Sequence, residues 1–297
     1  RKKHTYKPLI VIGSFHLLNL QRKKFKYRIK IRKVRDSFLV SKHNRHELMV
    51  YDVKYMQRLP FQKISIRSNK YIFNCFDIAI NLLKNKRILG LINCPIAKES
   101  LFKNNHQGIT EYLSKKLDKK DKEVMLIYNK KLSVSPVTTH IPLSQVAKKI
   151  NQNKIVKKVK IINNFYKNNF NKKPNFAILG LNPHNFSSSK KSEEKKIIIR
   201  AIKNLTKLKI KVTGPVASDS SFMIFKKYKF DVIVGMYHDQ VLTPFKALYN
   251  FNAINITLGL PYIRISPDHG VAENIIGKKL ANPKSLMESI KFFNYIK

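Results

Sequence analysis

Three histidines of the sequence follow apolar segments, at positions where the strands of a sheet would end. His140 ends the segment SVSPVTTH, His184 follows FAILGL through Asn182 and Pro183, and His238 follows DVIVGMY. In open α/β sheets, ligands bind outside the carboxyl ends of the strands, and neutral imidazoles are common ligands of Zn²⁺ and other late divalent metals. A hydrogen-bonded loop histidine is the simpler interpretation of any single one, but their coincidence favours a three-histidine metal site.

Two basic side chains in the polar segment 236–264 have the chemistry to hold an anionic group. Arg264 can form paired hydrogen bonds with a phosphate or carboxylate, and Lys246 can act as a point charge. Because the chain has 60 Lys and Arg residues, a surface position is the ordinary interpretation of any single lysine. Arg264 is harder to dismiss, since it follows a strand-like segment and the turn LGLPYI. Asp268 could orient the neighbouring His269 or could be ordinary loop chemistry.

These side chains must be positioned by strands and helices that alternate along the chain. Short continuous apolar segments predict buried strands at 9–13, 88–93, 124–128, 176–181, 231–237 and 254–258. Apolar residues at steps of three and four predict helices at 71–83, 110–117, 143–150, 155–170 and 193–208. This alternation indicates an α/β fold with a mostly parallel sheet. No long flexible linker divides the chain, so any division into two domains would be interwoven.

The net charge of +43 first suggests a nucleic-acid partner. The densest basic segment, 22–35, alternates basic with apolar or aromatic residues, as on a strand with one solvated face. However, the lysines run along the whole chain, and no zinc-finger spacing, RNA-recognition aromatic motif or basic-zipper heptad accompanies them. We therefore expect solvent-facing lysines, no nucleic-acid partner, and local use of positive charge for a small anionic substrate.

Composition and missing motifs exclude several other classes of protein. A chain that is 43% hydrophobic and 10% aromatic is not a disordered polycation. No apolar run approaches the ~18 residues of a membrane span. Cys75 and Cys94 are too few for a disulfide scaffold and fit a reducing cytoplasm, where we expect the protein to be. The sequence has no GxGxxG or P-loop motif, so a nicotinamide cofactor would bind without the usual fingerprint.

Seven motifs along the chain carry a family resemblance. In order, they are NCPIAK (93–98), GITEYL (108–113), TTHIPL (138–143), GLNPH (180–184), MYHDQ (236–240), NITLGLPYIR (255–264) and SPDHG (266–270). Together they resemble the 4-hydroxythreonine-4-phosphate dehydrogenases of pyridoxal phosphate biosynthesis. The resemblance runs from about residue 9 to the end of the chain, and its later motifs are long and specific.

The resemblance implies a fold and an assembly. Subunits of this family are three-layer α/β/α structures with two interwoven domains around a cleft, like the metal-dependent isocitrate and isopropylmalate dehydrogenases. We therefore expect a discontinuous first domain of residues 1–95 plus 260–297. Residues 96–259 would form a second domain that carries the metal ligands and the dimer contacts. The family forms homodimers in which one metal-ligating histidine comes from the partner subunit.

The resemblance also assigns roles to particular residues of this sequence. The metal ligands of the family match the three histidines chosen above, His140, His184 and His238. Its substrate-binding residues match Thr110, Lys246, Asn255 and Arg264. The implied cofactors are NAD or NADP and a divalent metal, with Zn, Mg, Mn and Co all open. No residue that binds the dinucleotide can be identified from the sequence.

The implied reaction is the NAD-dependent oxidation of 4-phosphohydroxy-L-threonine at its 3-hydroxyl, followed by decarboxylation to 3-amino-2-oxopropyl phosphate. The metal would lower the pKa of that hydroxyl, and Lys246 is a candidate for proton transfer. One alternative is a related dehydrogenase for another phosphorylated hydroxy acid, such as erythronate or threonate phosphate, or for a dihydrodiol. The other is an inactive or nucleic-acid-binding basic protein that keeps the fold.

Three departures from the family pattern affect these expectations. Ile109 stands where the family has a substrate-binding histidine, so one polar contact is missing or replaced and a shifted substrate becomes credible. The segment 185–191 (NFSSSKK) replaces an acidic, glycine-rich loop. The family's GDPAGIGPE segment would precede Arg1 and is absent from the sequence. Because that segment contributes to the cleft in the family, its absence bears on the catalytic competence of this chain.

Overall fold

The computed structural model of the chain describes residues 7–35, 47–102, 109–116, 123–186 and 191–296. A small parallel sheet, in the order β1-β3-β2, comprises β1 (Ile10–Gly13), β2 (Lys30–Val34) and β3 (Glu47–Asp52). Helix α1 (Phe15–Phe25) follows β1. Helix α2 (Asn69–Lys84) packs on this sheet, and other apolar residues of the same helix belong to a second hydrophobic cluster that includes Ile109, Tyr112 and Leu113. The basic segment 22–35 is therefore only partly a strand, because α1 ends in it and Lys26 adopts a left-handed conformation before β2 begins.

A larger sheet has eight strands in the order β4-β11-β10-β5-β6-β9-β7-β8. The strands are β4 (Gly90–Ile92), β5 (Val124–Tyr128), β6 (Ser133–Pro136), β7 (Phe176–Leu179), β8 (Val212–Val216), β9 (Val232–Gly235), β10 (Ile254–Leu258) and β11 (Ile263–Pro267). Its pairings are parallel except at β11-β10, β10-β5 and β5-β6. The sheet is thus more mixed than expected, because short connections join β5 to β6 and β10 to β11, and short connections permit only antiparallel pairing.

Helices cover both faces of the large sheet. The remaining helices are α3 (Lys98–Phe102), α4 (Ile109–Lys116), α5 (Val146–Lys149), α6 (Gln152–Phe170), α7 (Ile199–Lys207), α8 (Ser218–Ile224), α9 (His238–Tyr249) and α10 (Lys284–Tyr295). Buried residues of α6, α7 and α10 pack on one face, and those of α9 pack on the other. Successive residues of the central strands contribute to opposite clusters, as Ala177 and Ile178 do. The expected three-layer α/β/α class is confirmed.

The predicted domain boundaries stay a prediction. The small sheet lies within the first predicted domain, 1–95 plus 260–297. Strands β4 and β11 also belong to that range, and they form one end of the eight-stranded sheet. Among the described residues, no helix is both long and apolar enough to cross a membrane.

Candidate active site

A cavity of about 1210 Å³ lies against one face of β10 and β11. Four polar side chains of these strands line it, namely Asn255, Thr257, Arg264 and Ser266. They alternate along the strands with residues of the apolar cluster on the opposite face, so a single register places all four together. The cavity extends to the segments after β4 and β6 and to the wall made by α5 and α6.

Arg264 is held in a fixed orientation at this cavity. The residue is only 4% exposed. Its Nε donates a hydrogen bond to Asn93 Oδ1 at 2.6 Å, and its Nη1 donates to Thr257 Oγ1 at 2.7 Å. The parallel pairing of β4 with β11 brings Asn93, which follows β4, beside the arginine. The two bonds fix the plane of the guanidinium, and a fixed plane suits paired hydrogen bonds to an anionic group.

Lys246 reaches the same cavity from α9. Its Nζ lies 3.2 Å from Asp268 Oδ1, whose side chain is only 10% exposed. Asp268 therefore pairs with Lys246 and does not orient its neighbour His269, whose Nδ1 lies 3.0 Å from the carbonyl oxygen of Gly270. The predicted pair of cations, Lys246 and Arg264, does line one cavity, and the carboxylate of Asp268 anchors the lysine there.

The three predicted metal ligands follow neighbouring parallel strands. Strands β6, β9 and β7 are adjacent and parallel, so their carboxyl ends lie on one edge of the sheet. His140 follows β6, His238 follows β9 and begins α9, and His184 follows β7. The expectation that strand ends deliver these residues to one edge agrees with the topology.

His140 and His238 are close enough to share a metal ion. Their ring centroids lie 5.9 Å apart, with an angle of 42° between the planes. Two imidazoles bound to one tetrahedral ion at about 2.1 Å place their centroids roughly 5 Å apart, and the observed spacing is about 1 Å wider than this. The Nδ1 of His238 lies 2.7 Å from Asp239 Oδ1. Since a carboxylate only accepts, this contact fixes the proton on Nδ1 and leaves Nε2 as the ligand atom.

His184 lies apart from this pair. Its side chain is 86% exposed, and its Nδ1 lies 3.8 Å from Asp219 Oδ2. The residue has a left-handed backbone, with φ of 50°, as do Asn185 and Phe186 after it. Within the described ranges, no group of three His, Cys, Asp or Glu side chains could hold a metal ion in one chain. The three-histidine site stays a prediction, as does the second subunit that the family resemblance implies.

Two buried side chains hold the histidine-bearing segments in place. Gln240 donates to the carbonyl oxygen of Gly180 and to Ser218 Oγ, both at 2.7 Å, and accepts from the backbone of Met236. Glu194 accepts from the backbone N–H groups of Leu181 and Asn182, each at 2.8 Å. Burial alone would raise the pKa of Glu194, but these hydrogen bonds outweigh it and lower the pKa below its ordinary value.

The remaining predicted contacts lie around α4. Thr110 lies in this helix, and its side chain is outside the described part of the chain. Ile109 is 5% exposed and packs in a cluster with Phe76 and Leu113, while it also lines the cavity. Ile109, at the position where the family has a histidine, is therefore part of a hydrophobic cluster. Sequence reasoning missed Asn93 and Asp219 as site residues, because each meets its partner only through the fold.

The fold is shared with solved structures of dehydrogenases. An isocitrate dehydrogenase from Methylococcus capsulatus matches 96% of this chain and 84% of its own with a TM-score of 0.51 and 9% identity, a likeness of fold alone. The crystal structure of 4-hydroxythreonine-4-phosphate dehydrogenase from Klebsiella pneumoniae matches with a TM-score of 0.85 and 28% identity. It covers 99% of this chain and 90% of that chain.

Sequence similarity gives the family directly. The family model described as "Pyridoxal phosphate biosynthetic protein PdxA" matches residues 4–293. The 4-hydroxythreonine-4-phosphate dehydrogenase of Sulfurihydrogenibium sp. (strain YO3AOP1) is 36% identical over 286 residues, which are 95% of this chain and 87% of that protein. The chain belongs to the PdxA family of pyridoxal phosphate biosynthetic proteins, and the expected family is confirmed.

Proposed function

We propose that this chain is a dehydrogenase that oxidises 4-phosphohydroxy-L-threonine at its 3-hydroxyl with NAD⁺ or NADP⁺. Loss of CO₂ then gives 3-amino-2-oxopropyl phosphate, a step toward pyridoxal 5′-phosphate. Family membership supports the reaction class. The observation that carries the proposal is the joint placement of Arg264, Lys246 and His140 around one cavity.

The cations of the cavity bind the anionic groups of the substrate. Arg264 offers a guanidinium whose plane is set by Asn93 and Thr257, so it suits two-point binding of a phosphate or carboxylate. Lys246 supplies a point charge, and Asn255 supplies a side-chain amide on the same face of the sheet. These contacts orient the substrate so that its hydroxyl faces the histidines.

The histidines hold the metal. His140 and His238 from one subunit, with His184 from a second, would complete the ligand set of a homodimer, and the exposure of His184 supports this assembly. A divalent metal bound there supplies Lewis acidity toward the hydroxyl, and the dinucleotide supplies the hydride acceptor. Asp239 keeps the imidazole of His238 in the metal-binding tautomer.

Lys246 is also the candidate for proton transfer. Asp268 holds its Nζ at the cavity, where the ammonium group can donate a proton to the carbon that loses CO₂.

A metal-dependent assay tests the proposal. Protein freed of metal should show no reduction of NAD⁺ or NADP⁺ with 4-phosphohydroxy-L-threonine, and addition of Zn²⁺, Mg²⁺, Mn²⁺ or Co²⁺ should restore it. His238→Ala should abolish turnover, whereas His16→Ala on exposed α1 should not. Salt-sensitive nucleic-acid binding without turnover, unchanged by His238→Ala, would instead support the binding-protein alternative.

A second candidate is a related dehydrogenase for threonate or erythronate phosphate. Buried Ile109 favours it, because that position offers no polar contact to the substrate. Comparison of kcat/KM for the three phosphorylated acids decides between the candidates. A higher kcat/KM for threonate or erythronate phosphate than for 4-phosphohydroxy-L-threonine would support the second candidate and reject the first.

A further inference from the structure

One wall of the cavity is strongly basic. We call it the lysine wall: Lys149 at the end of α5 and Lys154, Lys157 and Lys158 of α6. The three lysines of α6 are spaced at i, i+3 and i+4, so they share one face of the helix. Like charges at this spacing repel one another and weaken a helix. The arrangement therefore disfavours the helix itself and is explained better by a ligand than by local stability.

Lys158 is the most enclosed member of the lysine wall. The residue is half-buried, unlike the exposed Lys154 and Lys157 beside it. Burial lowers the pKa of Lys158 to about 8; Glu123 opposes this shift, and Lys154 and Lys157 add to it. An anion bound at the lysine wall would offset the cost of burying the Lys158 ammonium group and its repulsion by Lys154 and Lys157. The charged form of Lys158 would therefore be stabilised by a negatively charged ligand.

The cavity is too large for the phosphorylated hydroxy acid alone. Its volume of about 1210 Å³ exceeds the roughly 300–1,000 Å³ of a pocket for one drug-sized ligand. A second hollow of about 430 Å³ is lined by residues 151–154 and Lys157, and it shares Lys154 and Lys157 with the cavity. The lysine wall thus borders two neighbouring spaces, which suits an extended ligand with negative charge in its middle.

We propose that the lysine wall binds the phosphate groups of the nicotinamide dinucleotide, while Arg264 and Lys246 hold the substrate. The identity of this ligand rests on the dehydrogenase function proposed above. The sequence has no GxGxxG loop, with which dinucleotide-binding proteins commonly cradle a pyrophosphate on backbone N–H groups. Lysine ammonium groups are alternative donors to phosphate oxygens, and four of them stand at this wall.

The competing explanation is that these lysines are ordinary solvent-facing residues. Helix α6 supplies its own control, because Lys160 is exposed on the same helix and does not line the cavity. Loss of Lys158 and loss of Lys160 change the net charge equally. A difference between them therefore reports position and not charge.

Calorimetric titration of the full chain tests the proposal with NAD⁺, inorganic pyrophosphate and 4-phosphohydroxy-L-threonine as separate probes. Lys158→Gln and Lys154→Gln should each weaken NAD⁺ and pyrophosphate binding roughly tenfold, the expected loss for one charge-assisted contact. Lys160→Gln should change neither by more than about twofold. Lys246→Gln should weaken binding of the hydroxy acid and leave pyrophosphate unchanged.

Several outcomes would overturn the proposal. One is an equal effect of Lys158→Gln and Lys160→Gln, which would show an unspecific charge effect. Another is weakened hydroxy-acid binding with unchanged NAD⁺ binding, which would assign the wall to the substrate's own phosphate. A third is pyrophosphate binding that depends on the lysine wall while NAD⁺ does not bind. This would show that the wall binds phosphate groups but not those of the dinucleotide.

The result is separable from that of the turnover assay. If the enzyme turns over substrate but its NAD⁺ affinity is unchanged by the lysine-wall substitutions, this inference is rejected and the proposed function is kept. NAD⁺ binding that depends on the lysine wall, without turnover of any phosphorylated hydroxy acid, would support this inference and reject the proposed function.

Discussion

Replacement of Lys158 by methionine should stabilise the protein at neutral pH. Methionine keeps most of the volume of the lysine stem and removes a half-buried ammonium group. Burial lowers the pKa of Lys158 from 10.5 to about 8, and this difference of about 2.5 corresponds to roughly 3 kcal/mol at about 1.4 kcal/mol per pH unit. Because the side chain is still partly in contact with water, we expect a gain of about 1–2 kcal/mol.

The sign of the effect gives it a characteristic pH dependence. Between about pH 8 and 10.5 the unfolded chain binds a proton at Lys158 that the folded chain has released, so the wild-type protein gains stability as pH rises through this window. Below about pH 8 the cost of the buried charge is fully present. The advantage of Lys158→Met should therefore be largest near pH 7 and should disappear above about pH 10.5.

Urea denaturation of wild type and variant at pH 7 and at high pH measures this difference. Glu123, Lys154 and Lys157 surround Lys158, and they are unchanged in both proteins, so their own titration largely cancels. Lys160→Met is the matched control and should change stability by less than about 0.5 kcal/mol, as is usual at exposed sites. A gain at high pH as large as that at neutral pH would indicate better packing and refute the electrostatic reasoning.

Three further predictions concern the site and the charge of the chain. Asn93→Ala removes the acceptor for Arg264 Nε and should lower kcat/KM roughly tenfold, mainly through KM; an unchanged KM would contradict this. Asp239→Asn should weaken Zn²⁺ binding about 10–100-fold in a chelator competition, and unchanged affinity would deny its role at His238. Added salt should raise Tm by roughly 2–4 °C, because it screens the self-repulsion of a chain with net charge +43; a flat Tm would count against that.

The layers of the fold could be predicted from the sequence because buried strands are continuous apolar segments. The predicted segments at 124–128, 176–181 and 254–258 are β5, β7 and β10. Strand β8 escaped prediction because VTGPV is broken by Gly214 and Pro215 and is mostly half-buried. The antiparallel pairings were also missed, since apolar segments do not reveal direction.

The candidate site could be predicted only in part. Histidines after apolar segments were visible, because the end of a strand is a local feature. The bond from Arg264 to Asn93 joins residues 171 positions apart, and no sequence spacing marks such a pair. The same holds for Lys246 with Asp268, whose contact depends on how α9 lies relative to the segment after β11.

Subunit complementation tests the central claim, a dehydrogenase whose metal site is shared by two copies of the chain. His238→Ala and His184→Ala should each be inactive alone in metal-dependent NAD⁺ reduction. In a mixed dimer, one site regains His140 and His238 from one subunit and His184 from the other. An equal mixture that exchanges subunits should therefore recover about one quarter of the wild-type activity, since half of the dimers are mixed and one of their two sites is intact. No recovery in dimers proven to be mixed would contradict the shared site.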